Sequence, residues 1–117
     1  MDQADLIRLR HIRDAAAEAL GFAAGKSRAD LDHDRMLVLA ILRDLEIIGE
    51  AASRVSAGAR KGSLTIPWDE MVGMRNRLIH GYFDVNLDTV WETISRDLPR
   101  LIADLDKTLG PTISPGN

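Results

Sequence analysis

The sequence predicts an all-α fold, a bundle of four to five helices, and two observations support this. Apolar residues recur at steps of three and four over most of the chain, the spacing that places side chains on one face of a helix. Glycine, proline and capping residues divide the chain into segments of helical length. No repeat, linker or second-domain boundary is seen, so one domain is predicted over residues 1–110 and a disordered tail over 111–117.

The first helix is predicted over residues 5–22, where apolar residues keep the helical spacing and charged residues mostly lie elsewhere. Gly21 and Gly25 are expected to break it. Residues 27–30, Ser-Arg-Ala-Asp, resemble a capping box with Asp in place of the usual Glu, which predicts a short helical turn.

A second, long helix is predicted over residues 32–57, about 38 Å at ~1.5 Å per residue. Its apolar residues cover more than half of the circumference, so we expect it to be the spine of a bundle and to keep spare apolar surface for a second subunit. Gly49 lies within it, where glycine costs about 1 kcal/mol against alanine. Close approach of another backbone is the structural reason we infer for this glycine.

A third helix is predicted to follow a basic loop at Arg60-Lys61. Pro67-Trp68 and the acids behind it mark its start, and it is expected to end near Ile79 or His80. Gly81 fits the left-handed position after a helix, which leaves Tyr82 on a short loop.

The last helix is predicted to begin after Asn86, whose side chain can cap it. Pro99 should kink or divide this helix, because proline lacks the N–H and crowds the carbonyl four residues back. Gly110 and Pro111 are expected to stop it.

Composition limits the classes of function. No cysteine is present, which excludes disulfides and thiolate metal sites, and no signal peptide or run of ~20 apolar residues is seen, so a cytoplasmic protein is expected. The net charge of -3 argues against broad, nonspecific binding of duplex nucleic acid. Any such contact must be local, and the candidate residues are Arg54, Arg60, Lys61, Arg75, Arg77 and His80.

The strongest chemistry lies in residues 75–82. The Arg75 guanidinium offers bidentate donors for a phosphate, and the His80 imidazole can take and give a proton near neutrality. Asn76 and His80, four residues apart, share a helix face, whereas Arg75 and His80 are about 140° apart at 100° per residue. If two chains met along this helix, a two-fold axis would bring a second Arg75 and His80 into one cleft.

Ordinary alternatives stay open for these residues. Cations in a last helical turn stabilise the helix dipole by ~0.3 to 1 kcal/mol, which could account for Arg75, Arg77 and His80. Tyr82 taken alone is more often a packed aromatic than a reactive group.

The other polar residues favour structural roles. His11 and His33 are predicted to be solvated. The run Asp32-His33-Asp34 is a poor metal site, because neighbouring residues on a helix diverge by about 100°. The carboxylates of Glu46 and Glu50 are expected to meet arginines at helical spacing, such as Arg43 and Arg54.

The chain resembles the HEPN-domain proteins, specifically the HepT-like toxins of HepT/MntA (HEPN/MNT) toxin–antitoxin systems. The family signature is Arg, four residues, His, one residue, Tyr, matched by Arg75, His80 and Tyr82, with the frequent Asn at Asn76. The resemblance covers nearly the whole chain, and the other segments that carry it are residues 46–52, 66–68, 73–82, 90–91 and 97–99.

This resemblance implies an up-and-down helical bundle that forms a homodimer, with the motif at a cleft between subunits. It implies a metal-independent endoribonuclease with RNA as substrate and no cofactor. The implied partner is a minimal nucleotidyltransferase antitoxin, MntA-like, which transfers AMP from ATP to Tyr82. Some family members have been interpreted as noncatalytic modules that bind a nucleotide or a nucleotidyltransferase, and this alternative stays open.

The resemblance also suggests roles for the motif residues. His80 would act as general base or acid, and Arg75 would hold the phosphate and its developing charge. Asn76 would orient the phosphate or His80, while Arg77 and Tyr82 would contact RNA.

Overall fold

The structure, a computed structural model, describes residues 1–80 and 85–110, with the backbone alone at 79 and 80. Every regular element in these ranges is a helix, so the all-α prediction is confirmed. The elements are α1 (Gln3–Ala23), α2 (Asp30–His33), α3 (Arg35–Ser53), α4 (Ala57–Lys61), α5 (Trp68–His80), α6 (Leu87–Glu92), a π-helical turn (Thr93–Asp97) and α7 (Leu98–Leu109). The predictions for Gly81, Tyr82 and the tail at 111–117 lie outside the described residues.

The helix α3 is the centre of the bundle, as predicted for the long apolar helix. It packs on α1 along one side and on α5 along another, and α7 closes the core against α1. The side chains that are almost fully excluded from solvent come from these helices: Leu9 and Ile12, Ile41 and Leu42, and Leu105. None of the helices in the described ranges is long and apolar enough to cross a membrane.

The helix α1 continues past one of its predicted breaks. Gly21 lies inside α1, and the chain turns only at Gly25, which has a φ of 76°. One of the two hydrogen bonds of the predicted capping box is present: the Asp30 carboxylate accepts from the Ser27 N–H at 2.6 Å. The short helix α2 follows.

The prediction of one helix over residues 32–57 is wrong in length. The helix α3 begins only at Arg35, because the Asp34 carboxylate caps it by accepting from the Leu37 N–H at 3.0 Å. It ends at Ser53, and the chain turns into α4, which takes the place of the predicted basic loop. Asp5 of α1 fixes this turn, since its carboxylate accepts from the Ser56 N–H at 2.9 Å and from the Ser56 hydroxyl at 2.6 Å. These bonds hold the pKa of Asp5 below its usual value.

Arg60, predicted to lie in a basic loop, joins α3 to α5. Its guanidinium donates to the carbonyls of Ala52 at 2.7 Å and Val55 at 3.2 Å, and lies 5.9 Å from the centre of the Trp68 ring. The Trp68 indole in turn donates to the Ser63 carbonyl. The start of α5 therefore lies beside the end of α3, and the two helices run antiparallel.

The last helix is divided at the predicted place. The Asn86 side chain caps α6 by accepting from the N–H groups of Asp88 and Thr89. A π-helical turn, Thr93–Asp97, separates α6 from α7, and Pro99 lies in the first turn of α7, where its missing N–H is tolerated. The helix α7 ends before Gly110, which has a φ of 77°.

One carboxyl group is enclosed in the interface between α1 and α3. Asp44 is 1% exposed, and its Oδ2 has no hydrogen-bond partner among the described residues. Burial raises the pKa of Asp44 to about 7, and the neighbouring carboxyl of Glu18 raises it as well. The carboxyl therefore holds its proton to higher pH than a solvated aspartate does.

Candidate active site on α5

Three of the predicted site residues have described side chains, and they point to different sides of α5. Arg75 faces α3 and its side chain is 21% exposed, whereas Asn76 and Arg77 are exposed. Arg77 lines a groove between α5 and α6 together with Asp69 and Glu92, away from Arg75. The described backbone of α5 extends to His80, and the predicted end of the helix at Gly81 lies, like Tyr82, outside the described residues.

Gly49 allows α5 to approach α3 closely at Arg75. A Cβ placed on Gly49 would lie 2.2 Å from the Arg75 Cβ and 2.7 Å from the Met71 carbonyl oxygen. Both distances are shorter than van der Waals contact, so no other residue fits without moving α5. The inference that this glycine marks a close backbone approach is confirmed, and the approach is what seats the Arg75 side chain on α3.

A Gly49→Ala change is expected to destabilise the fold by roughly 1 to 3 kcal/mol, because overpacking must displace α5. Chemical denaturation measures this change. Gly21→Ala is the matched control: it lies inside α1 with no atom within 4 Å of its added Cβ, and it should stabilise the protein by about 0.5 to 1 kcal/mol. Equal effects of the two changes would contradict the close approach.

Glu50 holds Arg75 in place. The Glu50 Oε2 accepts from the Arg75 Nη1 at 3.1 Å, and the Glu50 Oε1 accepts from the Arg54 Nη2 at 2.9 Å. One carboxylate therefore bridges two guanidinium groups, and a net positive charge remains. The Arg75 Nε is buried and has no hydrogen-bond partner among the described residues. Arg75 is thus oriented by one of its nitrogens, with a further N–H unused.

The expected pairs of Glu46 with Arg43 and of Glu50 with Arg54 are both present. The contact from Glu50 to Arg75 was missed by sequence reasoning, because the two residues are 25 positions apart. A signal for it existed: Glu50 directly follows Gly49, which had been identified as the point of close approach.

The remaining polar candidates have structural or solvated positions. His11 and His33 are exposed, as predicted. Asp32 pairs with Arg28, and Asp34 caps α3. Within residues 1–80 and 85–110, no group of three or more His, Cys, Asp and Glu side chains is placed to hold a metal ion.

Comparison with known proteins gives the chain a family. The family described as HepT-like, "Ribonuclease HepT-like", matches residues 12–108. "Putative RNase TTE0752" of Caldanaerobacter subterraneus subsp. tengcongensis is 40% identical over 93 residues, which cover 80% of this chain and 83% of the relative. "Putative RNase MJ1380" of Methanocaldococcus jannaschii is 32% identical over 98 residues, covering 84% and 90%.

A third relative carries the family name itself. "Probable ribonuclease HepT" of Thermococcus cleftensis is 39% identical over 74 residues, covering 63% of this chain and 67% of the relative. No solved structure matches the chain at a significant level. The family match spans α1 to α7 and includes the whole of α5, with Arg75, Asn76, Arg77 and His80. The chain belongs to the HepT-like ribonuclease family.

Proposed function

We propose that this chain is the toxin of a HEPN/MNT toxin–antitoxin system, a metal-independent endoribonuclease that acts on cytoplasmic RNA. The observation that carries the proposal is the position of Arg75 in a chain of a ribonuclease family. Glu50 pairs with the Arg75 side chain, and the same helix, α5, extends to His80. A guanidinium held in this way is suited to bind a phosphate oxygen, and a histidine five residues further along is suited to move protons.

In the proposed reaction the ribose 2′-oxygen attacks the adjacent phosphorus and the 5′-oxygen of the next nucleotide leaves. His80 of one subunit takes the proton of the 2′-hydroxyl, and the protonated His80 of the other subunit gives its proton to the leaving 5′-oxygen. Arg75 stabilises the charge that develops on the phosphate, and Asn76 orients the phosphate or His80. The products are a 2′,3′-cyclic phosphate and a free 5′-hydroxyl.

The test is cleavage of mixed RNA by the purified protein with and without chelator, with the Arg75→Ala and His80→Ala double variant as control. We expect cleavage that chelator does not reduce, cyclic phosphate ends on the products, and no cleavage by the double variant. Binding of RNA or of a nucleotide without cleavage would reject the endonuclease and favour the noncatalytic module.

We further propose that the active cleft lies between two subunits. Arg75 and His80 are about 140° apart on a helix, so a single chain offers them in different directions. Two apolar side chains near one end of α3 support a second subunit: Met36 is 83% exposed and Leu39 is 43% exposed. Leu39 shares a pocket with Val85, which comes three residues after Tyr82 in the sequence. A contact at this end of α3 would place the second subunit near Val85.

Light scattering should therefore give the mass of a dimer at micromolar concentration. The double change Met36→Glu and Leu39→Glu is expected to shift the protein towards a monomer and to reduce cleavage, because it places charge in the apolar contact. Leu64→Glu is the matched control, since Leu64 is 82% exposed on the loop between α4 and α5. A monomeric natural chain would remove the shared cleft and the second histidine.

Tyr82 is the proposed site of control by an MntA-like nucleotidyltransferase. AMP on this tyrosine adds a negative charge two residues from His80, which should compete with RNA phosphate for Arg75. Peptide mass spectrometry after co-expression with the cognate enzyme should find one or more AMP units on Tyr82, and none in a Tyr82→Phe variant. Neutralised toxicity without AMP on Tyr82 would favour simple occlusion by the bound partner.

A further inference from the structure

A groove between α1 and α3 lies next to the candidate active site. Its volume is about 350 Å³, and its ionisable lining residues are Arg8, His11, Arg43, Glu46, Glu50 and Arg54. We call it the α1–α3 groove. Glu50 lines this groove and also pairs with Arg75, so the groove adjoins the candidate active site at Glu50.

The α1–α3 groove is locally positive on a chain whose net charge is -3. Its three arginines outnumber its two glutamates, and the adjoining Arg75 adds a further cation. Arg8 is half-buried, and its Nε has no hydrogen-bond partner among the described residues. The nearest acid along α1, Asp5, accepts two hydrogen bonds from Ser56. A positive surface of this kind in an acidic protein attracts an anion locally.

The long axis of the α1–α3 groove is parallel to the path of α5 from Arg75 to His80. From Arg54 to Arg43 the groove follows α3 for eleven residues, or roughly 16 Å at ~1.5 Å per residue. Because α5 is antiparallel to α3, its backbone runs from Arg75 towards His80 alongside this same stretch. An extended strand with one phosphate at Arg75 could therefore continue along the arginines of the groove.

We propose that the α1–α3 groove binds the sugar–phosphate backbone of single-stranded RNA beside the bond that is cut. This inference rests on the proposed function and extends its site. The groove offers three arginines and a histidine, and its described lining residues include no Phe, Tyr or Trp, so its donors suit phosphate oxygens better than its surface suits stacked bases. Binding there should depend on RNA length and salt, with little preference for sequence.

A second copy of the chain fits the α1–α3 groove less well than RNA. Interface cores are depleted of charged residues, whereas only Ile47 and Ala51 of the groove lining are apolar. A two-fold contact through this surface would also bring its arginines towards their own copies. The groove therefore favours a polyanion.

The experiment measures RNA binding by fluorescence anisotropy in a His80→Ala background, where the RNA stays intact. Single-stranded RNAs of mixed sequence, about 4 and 12 nucleotides long, are compared over a range of salt concentrations. Both lengths lie within the site sizes of single-strand binding proteins. Arg8→Gln and Arg43→Gln should each weaken binding of the longer RNA roughly 3- to 10-fold, and each should lower the salt slope by about 0.7 to 1. The shorter RNA should be affected less.

Arg10→Gln is the matched control, since Arg10 is exposed on α1 and does not line the groove. It should leave affinity and salt slope unchanged. Unchanged binding by both groove variants would overturn the proposal, and so would a change in oligomeric state without a change in RNA affinity. If the natural chain cuts no RNA and Arg8→Gln weakens RNA binding, the proposed cleavage is rejected and the proposed RNA-binding groove is supported. If it cuts RNA and the groove variants bind normally, the groove alone fails.

Discussion

The His80→Ala variant is expected to cleave RNA at a rate ~10² to 10⁴ lower than the natural chain, the usual contribution of general acid–base catalysis. Its melting temperature should stay close to that of the natural chain, because a substitution in the last turn of a helix usually changes stability little. Single-turnover cleavage and thermal unfolding measure the two quantities. Full cleavage would point to a contaminating nuclease or to other catalytic residues, and loss of the fold would favour the structural interpretation of His80.

Arg75→Ala is expected to reduce cleavage by a similar factor, because it removes the group that holds the phosphate. Arg75→Lys should recover little, since a lysine offers a point charge and no bidentate fork. The effect on stability should be about 0 to 1 kcal/mol, because Glu50 keeps its second partner, Arg54. Arg96→Ala is a suitable control: Arg96 lies in the π-helical turn, and its ion pairs among the described residues are with Glu92 and Asp97.

The Asp44→Asn variant is expected to be more stable than the natural chain above pH 7, by on the order of 4 kcal/mol for a shift of about three pKa units at ~1.4 kcal/mol per unit. The sign follows from the raised pKa of Asp44, about 7 in the fold against 3.8 for a solvated aspartate. Between these values the unfolded chain has lost its proton and the folded chain keeps it. The stability contributed by the natural side chain therefore falls as pH rises from about 4 to about 7, and then stays level.

Urea unfolding at several pH values checks this prediction. The stability gained from Asp44→Asn should be small near pH 4 and should grow until about pH 7, where the pKa of Asp44 lies. Asp14→Asn, on the exposed side of α1, should give no such trend. A gain that is equal at all pH values would mean that Asp44 does not titrate in this range.

Much of the architecture could be predicted because its determinants are local. Asn86 caps α6, Pro99 opens α7 and Gly110 ends it, and each of these residues acts on backbone within a few positions of itself. Gly49 was also informative, because a glycine inside a long apolar helix needs a packing reason.

What could not be predicted depends on contacts between distant segments. The end of α3 is fixed by Asp5, which binds Ser56 across 51 positions, and no local pattern reveals that bond. The same holds for Glu50 and Arg75, which are 25 positions apart. Arg60 looked like a surface cation in sequence, yet its guanidinium satisfies two carbonyls near the end of α3. Helical periodicity identifies which faces are apolar, and it does not identify which polar side chains meet.

The π-helical turn, Thr93–Asp97, makes this part of the chain tolerant of a one-residue deletion. A π turn accommodates an additional residue within a helix, so removing one residue there would restore α geometry. The later side chains would keep their directions, because the π turn already absorbs the rotation of about 100° that one extra residue would otherwise impose. Leu98, Leu101 and Leu105, which α7 buries, would stay in the core. Among related chains, one residue fewer between Asn86 and Pro99 should therefore give a regular α-helix in place of the π turn, with the same face of α7 buried.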